Sequence, residues 1–249
     1  MLDITDHGEV REIRLDRPPA NAINPDLTEA LNEALLAAAD NSGAVVVSGR
    51  PGMFSAGLDV PELLQMEQER FGDFWQSFQT LLRNIALMPV PTVFALTGHA
   101  PAGGIVMAIF GDYRIMPRGD FKTGLNETQV GLVAPVVAYR TVARLTGPRV
   151  AERILVAGEM MSAERALEIG LVDELADEPD AVVARAIEWC EQHLALPRQA
   201  MLQTRAMARA ELHQFFEEDT SDRAANFTGG WFSDETQRTL KGLVARLKK

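Results

Sequence analysis

The stretch AVVVSGRPGMFSAGLD, from Ala44 to Asp59, carries the reading that decides the fold. Ala44 to Val47 is a short continuous apolar run bounded by Gly43 and Gly49, the pattern of a strand buried on both faces. A segment of small residues follows, Gly52 to Gly57, and then apolar residues recur at helical spacing from Glu62 to Leu87. The same order returns further on: Thr92 to Thr97 reads as a strand, Gly98 to Gly104 as a glycine turn, and Ile105 to Phe110 as a helix. Strand, glycine turn, helix is therefore used twice, and Tyr113 to Met116 begins another strand.

Upstream, Val10 to Leu15 fits an early strand, and RPPANAINP, Arg17 to Pro25, fits a loop because of its three prolines and two asparagines. From Asp26 to about Asp40, Leu27, Ala30, Leu31, Ala34, Leu35 and Ala38 put one apolar stripe on a helix. Downstream, Ala134 to Thr146 and Arg149 to Ala157 read as helices. Ser162 caps a short helix with Glu164 in its first turn and Gly170 at its end, and Leu171 to Leu175 fits a last strand. Beyond Pro179 the pattern is helical nearly to Lys249, with breaks expected at Pro197 and at Gly229-Gly230. The reading is a mixed α/β body with a helical tail, divided into a catalytic core over residues 1–195 and a helical C-terminal region over 196–249.

Charge and composition exclude several classes. A formal net charge of -11 leaves no concentrated basic face for nucleic acid, although a few local cations and backbone N–H groups can still hold an anionic small molecule. With 47% hydrophobic and 24% charged residues, the profile is that of a soluble globular protein. The N-terminal MLDITDHGEVREIRL lacks the basic-then-apolar order of a secretory signal, and the run from Ala86 to Leu96 is interrupted by Pro89 and Pro91, so no membrane span is expected. Cys190 is the single cysteine and reads as an ordinary helix residue, which makes a reducing compartment and a cytoplasmic location the default. The histidines His7, His99, His193 and His213 lack a metal-ligand spacing. A nucleophile elbow centred on Ser55 would need glycine at Met53 as well as at Gly57, so a hydrolase triad is unsupported.

Two glycine segments, FSAGLD from Phe54 and GHAPAGG from Gly98, could each let a ligand approach the backbone and meet free helix N–H groups. Either alone more often serves only chain geometry. Read together with GLNETQVG, Gly124 to Gly131, they closely resemble the crotonase superfamily of acyl-CoA enzymes, which shares an F-S/A-A-G-x-D segment, a glycine segment ending in G-G, and an acidic residue four positions before a glycine. All three occur here in that order, the middle one spaced G-x-x-x-x-G-G rather than G-x-x-x-G-G. Within the superfamily, RPGMFSAGLD, PAGG with DYRIM, and GLNETQVGLVAP are most similar to the enoyl-CoA isomerases, with weaker similarity near Asn226 and Phe227.

The resemblance implies a crotonase-like spiral of repeated ββα units with a helical C-terminal region, assembled as a homotrimer or a dimer of trimers. It implies that the N–H groups of Leu58 and Gly103 form an oxyanion hole for an acyl-CoA thioester, and that Glu127 is the catalytic carboxylate. Substrate contacts are implied for backbone around Ala56, Gly57 and Asp59, for the loop at Ala20 and Ala22, and for Asn126, which either orients Glu127 or shapes the turn. Hydratases of the superfamily use two glutamates to activate water. Counted from Gly103-Gly104, the first of those positions is Val106, which cannot exchange a proton. One carboxylate suffices to move a double bond, so isomerisation of a 3-enoyl-CoA is expected, with no metal or redox cofactor and with CoA only as part of the substrate. Hydration, another enolate reaction, or a non-catalytic acyl-CoA-binding subunit are the alternatives. In isolation Glu127 would read as a solvated glutamate near pKa ~4.3; in this setting an apolar pocket is expected to raise it. Glu62 is expected on a solvated face, His99 in turn packing, and Arg246, Lys248 and Lys249 on a solubilising helix face, though such cations can meet CoA phosphates in the family. The tail aromatics Phe215, Phe216, Phe227, Trp231 and Phe232 need cover from a neighbour or from the acyl pocket.

Overall fold

The computed structural model describes residues 1–218 and 227–247. Its first sheet has six strands in the order β1-β2-β3-β5-β7-β10, namely Leu2–His7, Val10–Leu15, Ala44–Ser48, Thr92–Ala95, Tyr113–Pro117 and Glu174–Ala176. β1 and β2 form an antiparallel hairpin and every later pairing is parallel. All of β3 is buried, because its two faces meet different partners. Val45 and Val47 join the main core, while Ala44 and Val46 pack against Val182, Ala186 and Cys190 of helix α8, Pro179–Leu194.

A second sheet, absent from the sequence reading, consists of β4 (Gly52–Met53), β6 (Gly98–Pro101), β8 (Lys122–Gly124) and β9 (Met161–Ser162), in that order. It explains the repeat. Each long strand β3, β5 and β7 is followed by a short one, β4, β6 and β8, and the chain then turns into helix, giving three successive ββα units. Neighbouring short strands come very close: a Cβ on Gly98 would lie 2.0 Å from the Gly52 carbonyl carbon, so the β4–β6 pair tolerates no side chain there.

The helices follow their apolar stripes. α1, Pro25–Asn41, starts where the Asn24 side chain accepts from the Leu27 N–H, and it buries Leu27, Leu31, Leu35 and Ala38. The helix expected over 62–87 is split into α2, Val60–Leu63, and α3, Gln68–Ala86, with a non-helical connection over 64–67. α3 buries Phe71, Phe74, Trp75, Phe78, Leu82 and Ile85, one stripe at spacings of three and four. α4, Gly103–Ala108, is buried throughout. α5 (Val136–Thr146), α6 (Pro148–Ala157) and α7 (Ala163–Glu168) follow, the last capped by Ser162.

Other boundaries differ from expectation. The strand β1 adds to the expected elements; its four central residues are exposed and show no apolar alternation that would mark it. The last strand lies at 174–176 because Leu171 and Val172 are core residues of the preceding turn. Pro197 does separate α8 from α9, Arg198–Glu217, but Gly229 and Gly230 sit inside helical residues 227–231, and the break falls at Phe232-Ser233 before the terminal helix Asp234–Leu247. The residues beyond 196 share the main core: Trp231 stacks on Phe71 with ring centroids 4.5 Å apart, and Phe227 stacks on Trp75 at 3.6 Å. That is the cover the tail aromatics require.

α9 is fastened by charge as well as packing. Arg205 makes a two-pronged contact with Asp112, 2.8 Å on each prong, and also donates to the Met88 carbonyl at 2.7 Å. Arg209 lies 3.3 Å from the same carboxylate and donates to the carbonyls of Ala86, Phe110 and Gly111. Burial pushes the Asp112 carboxyl up, but Arg209 and Arg205 outweigh it and hold the group below its ordinary range. Replacing Asp112 by Ala strands two buried guanidinium groups, and urea unfolding is expected to show a loss of about 3–5 kcal/mol.

Candidate active site

The loop at residues 17–24 and the segment 54–59 are laced together by backbone and side-chain hydrogen bonds. Asn21, buried and in the left-handed region at φ 50°, donates its side-chain amide to the Phe54 carbonyl at 2.9 Å, while the Ser55 hydroxyl donates to the Asn21 carbonyl at 2.8 Å. Ala56 N–H donates to the Ala20 carbonyl, Gly57 N–H to the Ser55 hydroxyl, and Asp59 N–H to the Ile23 carbonyl. Among the described residues only the Leu58 N–H of this segment is left with no acceptor.

A second free amide faces it. Ala102 precedes α4 with φ 47° and ψ -123°, a backbone conformation that costs a residue with a Cβ about 1–3 kcal/mol. It is held there because its N–H donates to the Gly124 carbonyl at 2.8 Å and its carbonyl accepts from Val106 at 3.0 Å. The planar trans peptide then aims the Gly103 N–H out of the start of α4, and among the described residues it has no acceptor either. The two amides are neighbours: a Cβ on Gly103 would lie 3.3 Å from the Leu58 nitrogen, and one on Gly57 would lie 3.0 Å from the Gly103 nitrogen. A side chain at 103 would intrude on the space the two amides share.

Both amides belong to residues lining a cavity of about 320 Å³, mostly apolar, with Trp75, Phe78, Phe227 and Trp231 among its walls. Glu127 is the one ionisable side chain among its described lining residues. It starts a single 3-10 turn, Glu127–Val130, that Gly131 ends at φ 81°. The turn is held by the Leu132 N–H on the Glu127 carbonyl at 2.9 Å and by the Thr236 hydroxyl of the terminal helix on the Gly131 carbonyl at 2.7 Å. Glu127 is 8% exposed, and its Oε2 is buried without a hydrogen-bond partner among the described residues. Burial raises its pKa to about 7, a rise that a backbone N–H of its own only partly offsets.

The other residues singled out above fall into two groups. Ala56, Asn126 and Val106 line the cavity, and Asn126 makes no side-chain bond to Glu127 or to the turn it precedes. Ala20 and Ala22 offer carbonyls to Ala56 and Arg17, and Asp59 caps α2 through the Glu62 N–H while pairing with Arg17 at 2.8 Å. Glu62 is not a free surface acid; it pairs with Arg17 at 3.1 Å and accepts from Asn24 at 3.0 Å. His99 accepts from the Lys122 N–H and packs on Phe121. Cys190 is buried in α8, and burial pushes its thiol up to about 12. Arg246 is exposed on the terminal helix, and Asn226, Lys248 and Lys249 lie outside the described residues. Among the described residues no three His, Cys, Asp or Glu side chains are grouped to hold a metal, and no helix is long and apolar enough to cross a membrane. The sequence reading passed over Arg17, Asn21, Ala102 and Thr236. The aromatic stripe of α3 signalled a wall, but not of which cavity.

Known proteins share this chain's sequence pattern and fold. The family model described as enoyl-CoA hydratase/isomerase matches residues 5–249. The chain belongs to the enoyl-CoA hydratase/isomerase family. Among its relatives, human mitochondrial enoyl-CoA delta isomerase 1 is 32% identical over 246 residues, covering 96% of this chain and 80% of that protein. A probable enoyl-CoA hydratase of Mycobacterium avium is 34% identical over 218 residues, covering 85% and 80%. The crystal structure of human mitochondrial delta3-delta2-enoyl-CoA isomerase superposes with a TM-score of 0.93 at 29% identity over 99% of this chain and 98% of that one. The expected crotonase fold is thus the fold of this family member.

The raised pKa of Glu127 makes stability depend on pH. The folded state keeps the proton longer than the unfolded chain, so the contribution is most favourable below about pH 4.5 and is lost as pH rises through about 7. Above that the ionised carboxylate costs about 3 kcal/mol. In urea unfolding, Glu127→Gln is therefore expected to gain stability relative to the parent protein on going from pH 5 to pH 8; a parallel pH dependence in both would contradict the burial.

Proposed function

We propose that this protein is an enoyl-CoA isomerase that converts a 3-enoyl-CoA into the trans-2-enoyl-CoA. The observation that carries the proposal is the single carboxylate among the described residues that line the cavity: Glu127 stands there with apolar Val106, at the position where the resemblance implies a second acid in water-adding enzymes. As a carboxylate, Glu127 takes a proton from C2. The C–H electrons move into the thioester and its carbonyl oxygen gains the charge, which the Leu58 and Gly103 N–H groups stabilise by donating hydrogen bonds to it. Each such donor is worth about 3–4 kcal/mol when it binds the oxyanion better than the neutral carbonyl. The resulting dienolate is then protonated at C4 by the same Glu127, and the double bond is left between C2 and C3. One C–H bond breaks and one forms, so the reaction needs neither oxidant nor metal, and CoA enters only as part of the substrate.

A pKa near 7 suits this shuttle, since the group must both take and return a proton at neutral pH. Contacts of Ala20, Ala22, Ala56, Gly57, Asp59 and Asn126 with the CoA ester, and a catalytic core ending near residue 195, belong to the same proposal. So does assembly as trimers or pairs of trimers; a sedimenting monomer would count against it.

Because relatives named as hydratases match equally well in identity, the decisive assay offers 3-enoyl-CoA and 2-enoyl-CoA side by side. Isomerisation should be fast and hydration at least about 100-fold slower, the scale on which a missing catalytic acid or base is felt. Comparable hydration would overturn the isomerase assignment. Glu127→Gln should abolish isomerisation while CoA-ester binding is largely kept, whereas a non-catalytic binding subunit would show no change. For the parent protein kcat/KM should fall about tenfold per pH unit below about 7 and level off above it, since the free enzyme needs Glu127 ionised.

A further inference from the structure

We propose that Arg17 is a positioning residue for the Leu58 amide, so that a side chain lying outside the cavity sets the strength of the oxyanion hole. The inference rests on the functional reading above only in taking that amide to be a donor to the thioester oxygen. Its basis is the way Leu58 is held. Ile23 N–H donates to the Gly57 carbonyl at 2.8 Å, and the Ile23 carbonyl accepts from Asp59 N–H at 2.8 Å. In such a parallel bridge the residue between the two bonds turns its own N–H to the opposite side. The direction of the Leu58 N–H is therefore dictated by where the chain at Ile23 sits and how the peptide before Asp59 is tilted.

Arg17 fixes both. One terminal nitrogen donates to the Ala22 carbonyl at 2.9 Å, next to Ile23, and lies 2.8 Å from the Asp59 carboxylate, next to Leu58. The other donates to Glu62 at 3.1 Å. The Arg17 backbone exchanges bonds with Asn21, its N–H donating to the Asn21 side chain at 2.8 Å and its carbonyl accepting the Asn21 N–H at 2.8 Å. One planar guanidinium thus ties three points on two separate stretches, which the single ammonium of lysine cannot reproduce with the same geometry. The ion pair is only 22% and 14% exposed, so solvent does not readily replace it. α2 has four residues, of which only Leu63 is fully buried while Val60 packs partly on the core, so without Arg17 the Asp59 end of the bridge is the part least held. Shifts of about half an ångström matter at an oxyanion donor.

The test uses the full chain with Arg17→Lys, Arg17→Met and Asp59→Asn, the last keeping an N-cap acceptor while removing the charge. Two quantities are read beside thermal stability: kcat and KM on a 3-enoyl-CoA, and the red shift in absorbance when a chromophoric 2,4-dienoyl-CoA binds and its carbonyl is polarised. Arg17→Met is expected to lower kcat about 10- to 100-fold, less than outright loss of a donor, with KM within about threefold. The red shift should shrink in proportion, Arg17→Lys should recover part of both, and Asp59→Asn should change both in the same direction. A lowered melting point with unchanged kcat and unchanged shift would make Arg17 merely structural and overturn the proposal. If Arg17→Met fails to fold, Asp59→Asn decides on the same criteria. Should the parent protein give the red shift but no isomerisation, the isomerase reading fails while the spectral series still tests Arg17; a parent protein with no red shift overturns the hole and this proposal with it.

Discussion

A carboxylate enclosed by apolar walls, with one oxygen unbonded among the described residues, works against folding, and the molecule is arranged so that Glu127 cannot escape that position. Leaving a buried polar group without its partner costs about 1–3 kcal/mol, more for a charged one. The turn that carries Glu127 is therefore clamped from its outer side. Gly131 takes a left-handed conformation and Thr236 donates to its carbonyl. Gly158 packs so closely on Thr128 and Gln129 that a Cβ there would stand 2.7 Å from the Thr128 hydroxyl oxygen. The destabilisation and the pKa near 7 have one cause, the missing hydration of the ionised form. Relieving the first with a hydrogen-bond donor would lower the second, so a more stable Glu127 would be a weaker base.

The repeated unit explains how groups far apart in sequence converge. Leu58 follows β4, Gly103 follows β6, and Glu127 follows β8, so each of three successive ββα units delivers one group at the end of its short strand. Because β4, β6 and β8 are neighbours in one sheet, those ends lie side by side. The close approach at Gly98 brings the first two units near enough for two backbone amides to face one space. No side chain has to be evolved for the pair of donors. What the sequence must supply is room, through Gly57 and Gly103, and the unfavourable torsions of Ala102 that turn one peptide outward.

The legible parts of the sequence were those where burial imposes a pattern. β3 and β5 sit under cover on both faces and read as apolar runs; α1 and α3 bury a single stripe and read as helices. The second sheet was not legible because strands of two to four residues such as Gly-Met, Gly-His-Ala-Pro and Lys-Thr-Gly carry no alternation, and their pairing is dictated by the strands that precede them. β1 was hidden for the opposite reason, being an edge strand with exposed charge. At the site, residue types marked Leu58, Gly103 and Glu127 only through a resemblance. Val106 was informative through what it cannot do. The contacts of Arg17 with Asp59 and Glu62 span more than 40 positions and carry no local signal, so only the folded chain brings them together.

The helical C-terminal region joins stability to the same site from two directions. Trp231, Leu240 and Leu243 wall the cavity, and Thr236 of the same region pins the Glu127 turn, so the apolar cover and the carboxylate's orientation share one docking event. At the far end of α4, Arg209 of α9 and the fully buried Arg114 both donate to the Gly111 carbonyl, while Arg114 also reaches Ala108. These cations satisfy carbonyls that a helix end leaves open and complement its negative pole. α4 is then met at its last carbonyl, Ala108, by Arg114, while the turn just after it is held by Arg114 and Arg209, and its start is held by the Ala102–Gly124 hydrogen bond. A six-residue helix held at both ends has little freedom to slide along its axis, and any such slide would carry the Gly103 amide with it. The arginine cluster that looks like ordinary core electrostatics is thus also part of what keeps that amide in place.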